Sequence, residues 1–138
     1  MAIVVDANLI VVLATNDPRT SEVERHLRAW LDAGEPLHAP FLLPYEVANA
    51  LTRLLVARRL AASDVAQVWT LAESIPIQLH PLTAAPRVVA AAARLGRQSA
   101  YDAAYLVLAE QLGAVLWTLD GPLARNAAGA GFPVRLIP

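Results

Sequence analysis

The chain has 138 residues, of which 57% are hydrophobic and 17% charged, so it can fold around one core, which excludes a disordered segment and leaves little room for a second domain. Twelve acidic residues nearly balance 11 basic ones, and the net charge of −1 gives no overall attraction to nucleic acid or to an anionic membrane. The absence of cysteine excludes disulfides, thiolate nucleophiles and cysteine-based zinc sites, so any metal must bind oxygen or imidazole ligands.

Short apolar runs alternate with segments of helical spacing along the chain. The runs have the continuous apolar character of strands buried in a parallel sheet, and the helical segments begin at capping residues or proline and end near glycine. In chain order, the first half of the chain is predicted to form a strand at 2–5, a helix at 7–15, a helix from 20 to 34, a strand at 37–39, a helix from 44 to 59 and a helix after 63–64. The second half is predicted to form a strand at 75–79, a helix from 86 to 96, a helix from 99 to 112, a strand at 114–118, a short helix from 120 to 129 and a strand at 133–137.

Two helix starts carry specific capping signals. Ser63 and Asp64 are expected to cap one helix, and Ser99 with Asp102 has the form of a capping box at another. The helix at 7–15 is apolar nearly all round, so it is either deeply buried or partly covered by another subunit.

The alternation predicts an α/β fold in one domain over residues 1–138. Its core is a short parallel sheet of four to five strands flanked by helices. In such sheets the ligand site lies beyond the carboxyl ends of the strands. Asp6 and Asp120 are both placed there.

No segment signals a membrane or an export route. The longest uncharged apolar stretch near the start, residues 7–16, is about half of the ~20 residues that cross a bilayer. No basic region precedes the first apolar run, and Asp6 interrupts it, which argues against a secretory signal. We therefore expect a cytoplasmic protein without membrane contact.

Four acidic residues lie beside apolar runs, at strand ends or in the first turns of helices: Asp6, Glu46, Asp102 and Asp120. Each is also explained by helix capping or by the helix dipole, which is worth about 0.3–1 kcal/mol in any protein. Together, however, carboxylates crowded beside a sheet repel one another and favour a bound cation. Ligands that are all oxygen suit Mg²⁺ or Mn²⁺. The other acids are expected on exposed faces or loops: Asp17, Glu22, Glu24, Asp32, Glu35, Asp64, Glu73 and Glu110.

Four segments contain these acids: VVDAN at 4–8, PYEVANAL at 44–51, YDAAYL at 101–106 and LWTLD at 116–120. In this order they resemble the PIN-domain nucleases, and within them the VapC toxins of bacterial toxin–antitoxin pairs. The resemblance covers nearly the whole chain. It implies a metal-dependent endoribonuclease with an α/β fold, whose products carry a 5′-phosphate and a 3′-hydroxyl. It also implies a VapB-type antitoxin that wraps the toxin and blocks the acidic pocket.

By this resemblance the four carboxylates form an acidic catalytic pocket for one or two Mg²⁺ or Mn²⁺ ions. Asp6 and Asp102 are the expected direct ligands, and Glu46 and Asp120 act directly or through water. A cation held in this way activates water for in-line attack on an RNA phosphodiester and offsets the charge that grows on the phosphate.

Other polar residues have candidate roles around this pocket. Asn8 and Thr118 are expected to orient the carboxylates by hydrogen bonds, and each is equally explained as a cap or a strand residue. Arg53, Arg58 and Arg97 are candidates for RNA contact, although solvated helix faces explain most arginine clusters.

A homodimer is expected from the apolar surface of segments 7–15 and 46–56, which exceeds what one thin sheet can cover. The three histidines, His26, His38 and His80, show no metal-ligand spacing in the sequence and are interpreted as structural. This argues against a metal-independent ribonuclease with histidine acid–base catalysis.

Two other functions remain open. One is a catalytically silent PIN-like module that binds RNA or a partner protein. The other is a metal-dependent phosphatase with Asp6 as nucleophile, which is disfavoured because Asn8 stands where a second aspartate is expected.

Overall fold

Five parallel strands form one sheet in the computed structural model, which describes residues 1–97 and 99–138. The strands are β1 (Ile3–Val5), β2 (Leu37–Pro40), β3 (Ile77–His80), β4 (Val115–Thr118) and β5 (Val134–Leu136). Their order in the sheet is β3-β2-β1-β4-β5, so β1 lies at the centre. Every pair is parallel, and Val5 is opposite Trp117. The α/β fold with a parallel sheet of four to five strands is confirmed.

Seven α helices connect the strands within the described part of the chain. They are α1 (Ala7–Ala14), α2 (Thr20–Asp32), α3 (Leu43–Val56), α4 (Val65–Ser74), α5 (Ala85–Arg94), α6 (Tyr101–Leu112) and α7 (Gly121–Gly129). Parallel strands require such crossover connections, because the chain must return to the same edge of the sheet before each new strand. Helix α6 packs across β1, β2 and β4 and buries half of its residues. None of the described helices combines the length and the hydropathy needed to span a membrane.

The apolar helix α1 is buried inside the molecule. It packs against α2, α3 and α4, and Leu9, Ile10 and Val12 are all nearly inaccessible to solvent. The sequence left open whether this helix is buried within its own chain or covered by another subunit, and the structure shows burial within the chain. Since α1 is covered by its own chain, it gives no support to a homodimer.

Helix α3 and the start of α4 differ from the predicted boundaries. Helix α3 ends at Val56, three residues before Arg59, because Arg58 has a left-handed φ of 56° that a helix cannot continue. The expected cap at Ser63 and Asp64 is wrong: these residues belong to a short 3₁₀ turn, Ala62–Asp64, which makes no side-chain cap to α4.

The expected capping box at α6 is also wrong. The N-cap residue is Ala100, so Ser99 lies one position too early to reach the third residue of the helix. The Ser99 hydroxyl instead accepts a hydrogen bond from the Tyr101 N–H at 3.3 Å. Among the residues that the structure describes, the Asp102 carboxylate makes no capping hydrogen bond.

Candidate functional site

Asp6 follows directly after β1, and Asp120 comes two residues after the end of β4. The two strands are adjacent in the sheet. Each aspartate is also the N-cap of the next helix. The Asp6 carboxylate accepts from the Leu9 N–H at 3.2 Å, and the Asp120 carboxylate accepts from the Leu123 N–H at 3.0 Å. In both residues one oxygen caps the helix, and the second oxygen is left for other contacts. Capping and participation in a site are thus compatible for these residues.

Glu46 and Asp102 lie in the first turns of α3 and α6. Together with Asp6 and Asp120 they line one pocket, which has a volume of about 140 Å³. The structure therefore brings together the four carboxylates that sequence reasoning singled out. We call this cavity, lined by Asp6, Glu46, Asp102 and Asp120, the acidic pocket.

Two of the four carboxylates hold their protons more tightly than usual. Burial raises the pKa of Asp6 from 3.8 to about 6, against the lowering effect of hydrogen bonds from Thr118 and from backbone N–H groups; the charge of Glu46 adds to the rise. Burial also raises the pKa of Asp102, opposed by Arg97 and reinforced by Asp120. The pocket thus concentrates negative charge that its own surroundings do not fully balance, which is a setting that favours a cation.

Thr118 connects two of the acids. Its side chain is completely buried, its Oγ1 accepts from the Asp120 N–H at 3.0 Å, and its hydroxyl lowers the pKa of Asp6 against the effect of burial. Asn8 lines the pocket, and its backbone N–H contributes to holding Asp6. Thr118 therefore contacts the backbone of Asp120, and both Thr118 and the backbone of Asn8 interact with the Asp6 carboxylate.

The donor set fits a hydrated divalent cation better than a bare one. Among the described residues, no three carboxylate or imidazole side chains stand close enough to form a ready-made metal cage. Mg²⁺ does not need one, because it retains several waters and commonly binds through one or two carboxylates. Four oxygen-bearing acids around a small pocket suit that type of binding.

Of the three candidate arginines, two lie near the acidic pocket. Arg53 lines it, and the Arg97 Nε is 3.9 Å from an Asp102 carboxylate oxygen. Arg58 is exposed, follows the end of α3 and is not part of the pocket lining. The position of Arg58 therefore gives no support to RNA contact at this site.

Tyr105 is a pocket residue that sequence reasoning missed. It lies three residues after Asp102 on α6, is 3% exposed, and lines the acidic pocket. Burial, followed by the interaction with Glu46 and the charges of the pocket acids, raises the pKa of Tyr105 far above its ordinary value. Its helical spacing from Asp102 was the available signal, since residues three apart share a helix face.

The histidines lie away from the acidic pocket. His38 Nδ1 and His80 Nε2 are 2.8 Å apart across β2 and β3, so the fold pairs two of the three. His26 packs against Trp30 and Trp117. Neither arrangement contributes to the lining of the acidic pocket.

Similarity to known proteins extends over nearly the whole chain. A family model of the PIN domain matches residues 3–129. The VapC ribonuclease Mb0985 of Mycobacterium bovis is 32% identical over 137 residues, covering 99% of this chain and 98% of that protein. Ribonuclease VapC3 of Pyrobaculum aerophilum is 31% identical over 142 residues, with full coverage of both chains. The crystal structure of PAE2754 from Pyrobaculum aerophilum superposes with a TM-score of 0.72 at 24% identity, covering 99% of this chain and 90% of that one.

Proposed function

The chain belongs to the PIN-domain family and is a relative of the VapC ribonucleases, and from this premise we propose that it is an endoribonuclease, the toxin of a type II toxin–antitoxin pair. The observation that carries the proposal is the meeting of four carboxylates, from two strand ends and two helix starts, in one acidic pocket. The nuclease domain is proposed to extend over residues 1–138 and to act on RNA in the cytoplasm.

Each side chain of the acidic pocket has a proposed role. Asp6 and Asp102 bind Mg²⁺, or Mn²⁺ in its place, and Glu46 and Asp120 bind it directly or through water. When bound, the cation supplies an activated water and offsets the charge on the phosphate during in-line hydrolysis. Thr118 keeps Asp6 and Asp120 in place through the contacts described above, and Asn8 helps to orient Asp6.

RNA is proposed to enter past Arg53 and Arg97. Both are near the acidic pocket, where a guanidinium can bind a phosphate oxygen with more than one N–H. Without a cation, the carboxylates repel the RNA backbone. Binding of RNA is therefore expected to be weak until Mg²⁺ is present.

The antitoxin is proposed to occupy a larger groove next to the acidic pocket. This groove of about 890 Å³ is lined by residues of α1, α3 and α4, and it shares Asn8, Ala50 and Arg53 with the pocket. A VapB-type peptide that lies in the groove therefore reaches the acidic pocket, where one of its basic side chains can take the place of the cation. We further propose that two copies of the chain form a homodimer.

The nuclease proposal is tested by cleavage of a mixed RNA substrate. Cleavage should stop with EDTA, return with Mg²⁺ or Mn²⁺, and fall at least about a hundredfold in Asp6→Asn and in Asp102→Asn, since each variant removes a charged ligand. Asp32→Asn is the matched control, because Asp32 is exposed at the end of α2 and lies outside the pocket.

Three results would contradict the proposal. Cleavage that persists in both pocket variants places the active site elsewhere. Absence of both cleavage and metal binding by calorimetry indicates a silent binding module. Turnover of a small phosphomonoester, with RNA left intact, indicates a phosphatase.

A further inference from the structure

The Tyr105 hydroxyl is a buried hydrogen-bond donor without a well-placed acceptor among the described residues. The side chain is 3% exposed, and its oxygen makes no well-formed hydrogen bond to any residue that the structure describes. The Glu46 carboxylate lines the same small pocket and interacts with the hydroxyl without completing such a bond. A buried hydroxyl without a partner destabilises a protein, so packing alone favours phenylalanine at this position.

The surroundings of this hydroxyl consist mainly of acceptors. Asp6, Glu46 and Asp102 all act on Tyr105 through their negative charges, and ionised carboxylates only accept hydrogen bonds. A neutral phenol can donate to them without adding a positive charge that would compete with a cation. Arginine in the same place would bring such a charge.

In the described part of the chain, Glu46 lacks the backbone hydrogen bond that orients Asp6 and Asp120. Asp6 and Asp120 are each fixed by a backbone N–H of the helix that they cap. Glu46 lies inside the first turn of α3 and is not its N-cap, so it is not held in this way, and its side chain is longer by one methylene. The buried ring of Tyr105 provides a rigid support for a donor beside it.

We propose that Tyr105 is a positioning residue: its hydroxyl donates to one oxygen of the Glu46 carboxylate and leaves the other oxygen directed into the acidic pocket. The inference rests on the proposed function, since Glu46 is one of the acids assigned to cation binding. Tyr105 itself contacts neither the RNA nor the cation. Its effect is transmitted through Glu46.

The test is a double-mutant cycle of Tyr105→Phe and Glu46→Gln, with Mn²⁺ binding measured by calorimetry. Tyr105→Phe alone should weaken Mn²⁺ binding by about tenfold, the lower end of the effect of partners that orient metal ligands. In the Glu46→Gln background the same change should have an effect of less than about twofold, because residues that act through one another are not additive. Tyr45→Phe is the control, since it removes a hydroxyl next to Glu46 from a ring that is 75% exposed.

RNA cleavage provides a second readout of the same variants. Tyr105→Phe should lower kcat by about tenfold and leave KM within about twofold, because Glu46 serves the cation and not the RNA. Thermal unfolding should show that the variant folds, since the ring is retained.

The outcomes separate this proposal from the nuclease assignment. Wild-type Mn²⁺ affinity in Tyr105→Phe, or the same loss with and without Glu46, overturns the role of Tyr105. Failure of the wild-type chain to cleave RNA overturns the nuclease function, while the Mn²⁺ cycle still decides whether Tyr105 acts through Glu46.

Discussion

Asp6 is a buried carboxyl of the acidic pocket, and ionising it in the folded chain costs free energy. Its pKa of about 6 in the folded chain compares with 3.8 for the ordinary group. The folded state therefore holds its proton more tightly than the unfolded state, and ionising Asp6 opposes folding. This contribution is absent below about pH 4, grows between pH 4 and 6, and is complete above pH 6.

Asp6→Asn should consequently stabilise the chain at neutral pH when no metal is present. The shift corresponds to about 2 to 3 kcal/mol at pH 7.5 in EDTA, and the gain should disappear below about pH 4. Thermal unfolding across this pH range measures the effect, with Asp32→Asn as the exposed control. A variant that is less stable than the wild type at pH 7.5 would show that Asp6 is not held at a cost.

The residues of the pocket were predictable to different degrees. The approach of Asp6 to Asp120 follows from parallel strands that end at one edge, a rule that needs only the strand assignments. The spacing of Tyr105 from Asp102 indicates a shared helix face, but it does not show that the Tyr105 hydroxyl lies among carboxylates, because α6 also buries five apolar residues. Whether Arg58 or Arg97 approaches the pocket likewise depends on where the chain turns.

At the scale of elements, local signals predicted the alternation of strands and helices. Apolar periodicity and glycine or proline boundaries are properties of neighbouring residues. The sheet order β3-β2-β1-β4-β5 depends on pairing between distant segments, so it cannot be predicted from patterns of neighbouring residues. The left-handed Arg58 that ends α3 early is similarly a result of tertiary structure, since arginine itself favours helix.

Helix α6 ends through a local signal that can be tested. Gly113 is its C-cap, with a left-handed φ of 61°, a conformation that side chains with a Cβ rarely adopt. No heavy atom lies within 4 Å of the position that a Cβ would occupy, so backbone strain is the only cost of Gly113→Ala. We expect a loss of about 1 kcal/mol in unfolding free energy, measured by chemical denaturation.

Gly129→Ala provides the contrast. Gly129 is the last residue of α7, has no left-handed φ, and also has open space where the Cβ of an alanine would lie. Alanine there should be neutral or stabilising by up to about 1 kcal/mol. Equal losses at both glycines would show that the left-handed conformation does not determine the end of α6.

At the scale of the whole molecule, the net charge of −1 combines two unlike regions. Without the four acids of the acidic pocket, the chain has eight acidic residues against 11 arginines. Several of those arginines are paired on the surface, such as Arg25 with Glu22 and Arg28 with Glu24 on α2. Overall charge therefore says little about RNA, and we expect phosphate to be attracted by the proposed cation of the acidic pocket.

We propose that a second copy of the chain binds the surface beside β2 and β3. Phe41, Leu82 and Tyr101 are 54%, 65% and 59% exposed and border one apolar cavity of about 240 Å³. An exposed patch of large apolar side chains marks an interface more often than it remains in water. A two-fold axis would pair this patch with itself, which is the commonest arrangement of homodimers.

Leu82→Asp should therefore yield a monomer in sedimentation velocity experiments where the wild type is a dimer, because a charge would be buried at the centre of the patch. Val56→Asp is the matched variant: Val56 is 78% exposed at the end of α3, outside the cavity, and the dimer should persist. The reverse result, a monomer only with Val56→Asp, would place the interface on α3, where segment 46–56 suggested it. A wild-type chain that sediments as a monomer at all concentrations would contradict the homodimer itself.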